Sequence, residues 1–222
     1  MGIQTGYLDQ VDGSAHYKTD TTALLCSVTG PIEPKPRQEL PTRMALEVIV
    51  RPALGVPLTR EVEIQDKLNS ILGSIIVVHR YPRQLCQITF QILESGEDPH
   101  LFDSKELVAC VNAATLALID AGIAMNSLAI GCVIAVLPES DGKHIIDPTD
   151  EQLRNAISVH SLVLQLVDGS KVVNNVLLLD SYGDFTEKIL FEVLELGEKY
   201  ILNKAQDFRK LIQERIEASI LK

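Results

Sequence analysis

The sequence predicts an α+β fold, on the strength of three observations. The first third is rich in β-forming residues. Two segments with helical apolar spacing are separated by one strand, and a hairpin signal precedes a long amphipathic C-terminal segment. The resulting order β-β-α-β-α-β-β-β-β-α contains no internal repeat and no evident domain linker, so we expect residues 1–222 to form a single domain.

The first predicted strand covers residues 22–29, which are rich in β-formers, and Gly30-Pro31 is expected to end it. Closely spaced prolines predict an extended connector over residues 31–41, because proline fixes φ and removes a donor. A second strand is predicted for residues 44–51, followed by a loop over residues 51–57.

Helical periodicity predicts two helices in the middle of the chain. The first runs from Thr59, the expected N-cap, to about Val78. A strand over residues 84–93 separates it from a helix of small residues, 109–123, which could lie close against a sheet or another helix.

The last third begins with a continuous apolar strand, residues 128–137, which is expected to pair with Ile145-Ile146 across the turn 139–143. Asp168-Gly169 predicts a hairpin between residues 159–167 and 172–179. Residues 185–222 form a predicted helix, which Gly197 is expected to weaken or bend.

Composition narrows the classes of function. A net charge of −10 argues against an autonomous nucleic-acid binder, which would normally carry a basic face. No apolar run approaches the ~20 residues that span a bilayer, and the N-terminus shows no secretory signal. The 4 cysteines lack C-x-x-C spacing and the 5 histidines lack metal-ligand spacing, so we expect reduced thiols in an intracellular protein and no metal site.

Several separated blocks resemble the ribonuclease PH family, in order and over nearly the whole chain. They are Asp12-Gly13-Ser14-Ala15 with residues 25–31, Tyr81-Pro82-Arg83, the small-residue helix ending in Asp120-Ala121-Gly122-Ile123, residues 176–180, and the C-terminal helix. The resemblance implies a ribosomal protein S5 domain 2-like fold, with mixed sheets and packed helices in one domain.

The resemblance also implies where the family's phosphorolytic chemistry would lie. Active members place a Gly-Thr/Ser-Arg turn before the small-residue helix to hold phosphate, and here Lys105-Glu106-Leu107 replaces it. Glu106 is expected to repel phosphate. A family arginine aligns with Asn69, and of two metal-binding aspartates only Asp147 is kept, since Leu153 replaces the second. We therefore expect an inactive paralogue with no catalytic residue, no metal and no cofactor.

One alternative stays open at this point, because Asp150 and Glu151 could substitute as metal ligands. In that case the chain would be a phosphate-dependent 3′-to-5′ exoribonuclease.

Within the family the chain resembles eukaryotic RNA exosome ring subunits. This implies a structural role in 3′-to-5′ RNA processing and degradation, including ribosomal RNA processing and mRNA decay, in the nucleus, nucleolus and cytoplasm. The implied partners are sibling RNase PH-like subunits in a six-member ring, S1/KH-type cap proteins, hydrolytic nucleases and RNA in the channel, with no membrane. Arg51 and Arg60 flank the loop that faces the channel in active relatives and are the candidate RNA contacts, unless the loop is merely solvated or their charges serve a subunit salt bridge.

Overall fold

The computed structural model describes residues 2–98, 101–138, 144–167 and 171–220, with side chains described to residue 217. Nine strands and four α-helices are assigned there. In chain order they are β1 Gly2–Thr5, β2 Gly13–Lys18, β3 Ala23–Ile32, β4 Ala45–Arg51, α1 Thr59–Ile75, β5 Leu85–Glu94, α2 Ser104–Asp120, β6 Leu128–Val136, β7 His144–Ile146, α3 Asp150–Asn155, β8 Ser158–Val167, β9 Val172–Gly183 and α4 Glu187–Ile220.

Two sheets form the framework. The first has the strand order β1-β2-β3-β5-β4 and is antiparallel except for the β4–β5 pair. That parallel pair requires a crossover, and α1 provides it while packing on β4. The second sheet has the order β7-β6-β8-β9 and is antiparallel throughout.

Helix α2 lies between the two sheets. It contacts β2 and β3 of the first sheet and β6 and β8 of the second, and residues 104–118 are all buried. A helix enclosed on all sides needs small or apolar side chains, or polar ones whose hydrogen bonds are satisfied, and the alanines of α2 supply the small ones. The buried Asn112 and Thr115 hydrogen-bond to the backbone of β6. One hydrophobic cluster includes residues of α2 and of both sheets. The division of the chain into domains stays a prediction.

The predicted element order omitted β1, β2 and the short helix α3. The expectation that Gly30-Pro31 ends the third strand was also wrong. The backbone N–H of Gly30 donates to Asp12 Oδ2 at 2.8 Å, and after a register irregularity Ile32 pairs with Leu85. The side chain of Asp12 thus supplies the acceptor that the ladder lacks at this position.

The helix limits also differ from the prediction. Thr59 is the first residue of α1 rather than its N-cap; the cap is Leu58, whose backbone N–H donates to Glu61 Oε2 at 2.6 Å. α1 ends at Ile75, three residues before the predicted end. α2 begins at Ser104, so the segment expected to form a turn is the first turn of the helix.

The remaining predicted elements are confirmed, including the β6–β7 and β8–β9 pairings, although the turns 139–143 and 168–169 lie outside the described residues. Gly197 sits inside α4, where a Cβ would come within 2.5 Å of Leu162 Cδ2, so the missing side chain lets α4 approach β8. All four cysteines are buried and free. None of the described helices is long and apolar enough to cross a membrane.

Candidate functional site

The first turn of α2 is closed by a carboxylate of the protein itself. Glu97 Oε2 accepts the backbone N–H of Lys105 at 3.1 Å, and Glu97 Oε1 accepts that of Glu106 at 3.0 Å. Free N–H groups at a helix N-terminus attract anions, because they carry the positive end of the helix dipole. Two of these donors are therefore engaged by Glu97.

Glu97 belongs to a buried cluster of three carboxylates around one guanidinium. Glu61, Glu97 and Glu106 are each at most 6% exposed. Arg60 Nη2 lies 2.7 Å from Glu106 Oε2 and 3.9 Å from Glu97 Oε1, while Arg60 Nη1 lies 3.4 Å from Glu61 Oε1. Burial raises the pKa of Glu97 to about 7, although its two backbone hydrogen bonds act in the opposite direction.

The orientation of Glu106 corrects the expectation that it faces an anion site. Its carboxylate forms an ion pair with Arg60 and accepts a hydrogen bond from the Ser95 hydroxyl, and Glu106 is absent from the lining of the adjacent cavity. The neighbouring Lys105 side chain faces that cavity instead. Successive residues of a helix point about 100° apart, so adjacent side chains reach different surroundings.

The cavity next to α2 has a volume of about 300 Å³ and combines buried cations with polar groups. Lys105 and Lys204, 7% and 4% exposed, both line it, together with Asp147, Tyr17 and Tyr200. The Lys105 ammonium donates to Thr21 Oγ1 and to the carbonyl of Gly96. Burial lowers the pKa of Lys105.

Asp147 reaches this cavity from the loop after β7, where its backbone is in the left-handed region at φ 51°. Its Oδ2 accepts the Tyr200 hydroxyl at 2.7 Å and lies 4.0 Å from Lys204 Nζ. A carboxylate beside an ammonium is already compensated, so Asp147 has less charge to offer a metal ion.

The other positions considered for metal binding do not complete a site. Leu153 is 1% exposed and packs with Val108, Val133 and Val159 in a hydrophobic cluster. Asp150 bonds to Arg154 and accepts the backbone N–H of Asp98. Among the described residues no group of three or more His, Cys, Asp or Glu side chains could hold a metal ion.

The two candidate RNA contacts have different surroundings. Arg60 is one-fifth exposed and its guanidinium is held by the carboxylate cluster and by the carbonyl of Phe102, at 3.0 Å. Arg51 ends β4 and is exposed at the start of the following loop. Asn69, the position aligned with a family arginine, is exposed on α1 and does not line the cavity. RNA contact by Arg51 and Arg60 stays a prediction.

The sequence interpretation missed Glu97, Tyr200 and Lys204. Glu97 lies in a segment predicted as a polar loop, and the other two lie on α4. No local sequence pattern predicts a role for these three residues, because each contacts its hydrogen-bonding or ionic partner only when distant segments pack together. A glutamate seven residues before the start of α2 could have suggested a cap, but the spacing is too irregular to predict one.

Comparison with known proteins supports the same architecture. Family profiles described as 3′ exoribonuclease family domain 1 and domain 2 match residues 1–124 and 128–200. The exosome complex component RRP46 of Saccharomyces cerevisiae is 54% identical over 223 residues, covering 100% of both chains.

Two solved structures share the fold. Rice (Oryza sativa) Rrp46 matches with a TM-score of 0.82 at 24% identity, covering 96% of this chain and 93% of that one. The archaeal exosome core matches with a TM-score of 0.69 at 17% identity, covering 94% and 85%. At these identities the two structures establish the fold alone. The predicted fold class and family resemblance are confirmed, and the chain belongs to the 3′ exoribonuclease (RNase PH) family.

Proposed function

We propose that this chain is a non-catalytic ring subunit of the RNA exosome, which shapes the RNA channel and docks partner subunits for 3′-to-5′ RNA processing and degradation. Its full-length identity of 54% to a protein named as an exosome complex component supports the assembly role. The single observation that carries the non-catalytic part is the Glu97 carboxylate bonded to two backbone N–H groups at the start of α2.

Phosphorolysis needs cationic groups and free donors that hold inorganic phosphate, and carboxylates that bind a divalent metal. At the start of α2 a buried carboxylate takes two donors, so a phosphate there would meet like charge. Leu107, in the family's arginine position, is 1% exposed in the hydrophobic core. Leu153 is equally buried and cannot coordinate a metal. Three positions thus argue independently against turnover.

A phosphorolysis assay tests the non-catalytic part. The purified chain is incubated with oligoadenylate, inorganic phosphate and Mg²⁺, with a catalytically active family member run in parallel. We expect no nucleoside diphosphate above the protein-free blank. Release that depends on phosphate and disappears in the Asp147→Asn variant would overturn the proposal.

That outcome would favour a phosphate-dependent exoribonuclease, the second candidate function. One observation supports it: Lys105 and Lys204 both line the cavity that also contains Asp147. Their charges are countered by Asp147 and Asp20 within the same lining, and for this reason we rank this function second. If it were correct, Lys105→Met would abolish the release.

The proposed partners are the sibling RNase PH-like subunits, S1/KH-type cap proteins and hydrolytic nucleases of that assembly, together with RNA. Arg51 is the better placed of the two candidate RNA contacts, because it is exposed while carboxylates surround Arg60. Crosslinking of RNA to Arg51 but not to Arg60 in the reconstituted ring would support this assignment. The nuclear, nucleolar and cytoplasmic localisation stays a prediction that follows from the proposed membership.

A further inference from the structure

A second cavity lies at the opposite end of α2 from Lys105. Its volume is about 540 Å³, against about 300 Å³ for the cavity beside Lys105, and small-molecule sites in proteins commonly enclose about 300–1,000 Å³. It is enclosed by the end of α2 with its connection to β6, the start of β6, the end of β8 and the C-terminal half of α4. At about 1.5 Å per residue, Ile119 of its lining lies roughly 20 Å along α2 from Lys105, so the two cavities are separate.

The walls of this second cavity are apolar and include an aromatic ring and a thioether. The aliphatic part of the lining consists of Ile119, Ile123, Leu128, Leu166, Val167, Ala205 and Ile212. Phe208 adds a phenyl ring and Met125 a sulfur atom. Aromatic rings and thioethers both interact favourably with planar π systems. The walls therefore suit a flat, apolar molecule.

The buried polar group and the charge in the lining argue against an ionic ligand inside the cavity. Thr115 is fully buried, and its hydroxyl already donates to the carbonyl of Ala129 at 2.6 Å. Arg209 is the one charged residue among the described lining, and it is exposed on α4. A charged group would lose its hydration against apolar walls without gaining a buried partner, so an uncharged group is favoured there.

Two further polar side chains of the lining keep hydrogen-bonding capacity. Asn126 is exposed, and its carboxamide has no hydrogen-bond partner among the described residues, while its backbone N–H donates to the carbonyl of Ile75 at 2.8 Å. Beside it, Ser127 Oγ accepts a hydrogen bond from Gln165 Nε2 at 2.8 Å and keeps its own proton for donation. A carboxamide presents a donor and an acceptor side by side, so it pairs best with a ligand edge that does the same.

A planar ring with a donor and an acceptor on one edge matches both the walls and the carboxamide. Nucleobases have this chemistry, because their faces stack on apolar and aromatic side chains and their edges pair with Asn carboxamides. An aliphatic chain would leave the carboxamide unmatched, and inorganic phosphate would be desolvated against apolar walls. Since Asn126 and Arg209 are both exposed, the cavity opens to solvent, which leaves room outside it for a ribose and a phosphate.

We propose that this cavity binds a single unstacked nucleobase, supplied by a nucleotide or by single-stranded RNA. The base lies against Phe208 and Met125, and its edge pairs with Asn126. The inference goes beyond the proposed function and does not require ring assembly, because one chain supplies all of the described lining.

A titration followed by NMR on the methyl-labelled full chain tests the proposal. The common ribonucleoside 5′-monophosphates are added up to about 10 mM, and we expect at least one to bind with a Kd of about 1 mM or tighter. Shifts should appear at the methyl groups of Ile119, Ile123, Met125 and Leu128, whereas Ile64 on α1 should not respond. Inorganic phosphate at the same concentration should leave the cavity methyl groups unchanged. If no nucleotide shifts them, the proposal is overturned.

Matched variants test the pairing with the carboxamide. Asn126→Ala should weaken nucleotide binding about tenfold, because it removes the hydrogen-bonding partner of the base edge. Asn69→Ala, at an exposed position of α1 outside the lining, is the control and should bind like wild type. Ile212→Phe fills part of the cavity and should also weaken binding, and circular dichroism verifies that each variant is folded. Equal affinity of wild type and Asn126→Ala would overturn the assignment.

Two further probes separate the possible occupants. Indole has a flat ring without an adjacent donor and acceptor, so indole binding as tight as nucleotide binding would indicate an aromatic side chain of a protein partner and overturn the nucleobase. Adenosine monophosphate and oligoadenylate carry the same base: shifts with both support a nucleotide as the source, and shifts with oligoadenylate alone support RNA. Failure of nucleotide binding leaves the proposed function standing, because phosphorolysis and crosslinking in the ring test that function separately.

Discussion

Replacing Glu97 by glutamine should remove a pH-dependent loss of stability. Burial raises the pKa of this carboxyl from its ordinary 4.5 to about 7. A group whose pKa is higher in the folded state favours folding when it is protonated. Its contribution is fully present below pH 4.5 and is lost as the pH rises through about 7.

The size of this loss follows from the pKa difference. Since each pKa unit corresponds to about 1.4 kcal/mol, ionising Glu97 in the folded protein should cost about 3 kcal/mol between pH 4.5 and pH 8. Glutamine cannot ionise, so the Glu97→Gln variant escapes this loss. The substitution also alters the hydrogen bonds from the backbone of Lys105 and Glu106. That cost is the same at every pH, so it cancels when the free energies of unfolding at two pH values are compared.

Urea unfolding at pH 4.5, 5.5, 6.5, 7.5 and 8 (about one-unit steps) measures the effect as a difference between wild type and variant. We expect the variant to gain about 3 kcal/mol relative to wild type across this range. Glu198→Gln, at an exposed position on α4, is the matched control and should show no such trend. A stability difference between wild type and Glu97→Gln that stays constant with pH would refute the reasoning.

Three further predictions concern stability measured by urea or thermal unfolding. Arg60→Ala leaves three buried carboxylates without their guanidinium and should lower the free energy of unfolding by about 3–5 kcal/mol. A loss below about 1 kcal/mol would mean that water reaches the cluster. Gly13→Ala should destabilise strongly, because a Cβ would lie 2.4 Å from the backbone of α2. Gly73→Ala, at an exposed position in the last turn of α1, should instead stabilise by about 0.5–1 kcal/mol. Equal effects of the two substitutions on the free energy of unfolding would contradict the close approach of Gly13 to α2. Asn112→Ala should lower the free energy of unfolding by about 2–4 kcal/mol, because the side-chain amide hydrogen-bonds to both the N–H and the C=O of Gly131 in the core. Hydrogen exchange at the Gly131 amide should then accelerate. An unchanged exchange rate would argue against the hydrogen bond from Gly131 N–H to Asn112.

Much of the fold could be predicted because the deciding signals are local. The apolar spacing in α1 and α4, the hairpin signal at Asp168-Gly169 and the small residues of α2 each act over a few neighbouring residues. Strands β1 and β2 have no such signal. Long-range contacts position β2: Gly13 leaves room for α2, and the backbone N–H of Ser14 donates to Asp120 Oδ2, more than a hundred positions away. β1 then pairs with β2.

The site was predictable only in part. Replacement of the family's phosphate turn and of its second aspartate is visible in the residues themselves. The direction of each side chain is not, because it depends on where a helix begins and how it is rotated. Once α2 starts at Ser104, Lys105 faces the cavity and Glu106 turns to Arg60.

Residue types and their order along the chain were enough to predict the family, the α+β class and the replacement of two chemical groups by Leu107 and Leu153. Three further features needed the folded coordinates: Glu97 closes the start of α2, carboxylates hold Arg60, and β9 forms an edge of the second sheet. Hydrogen bonding, burial and strand pairing join segments that are far apart in the sequence, so no local pattern along the chain encodes them.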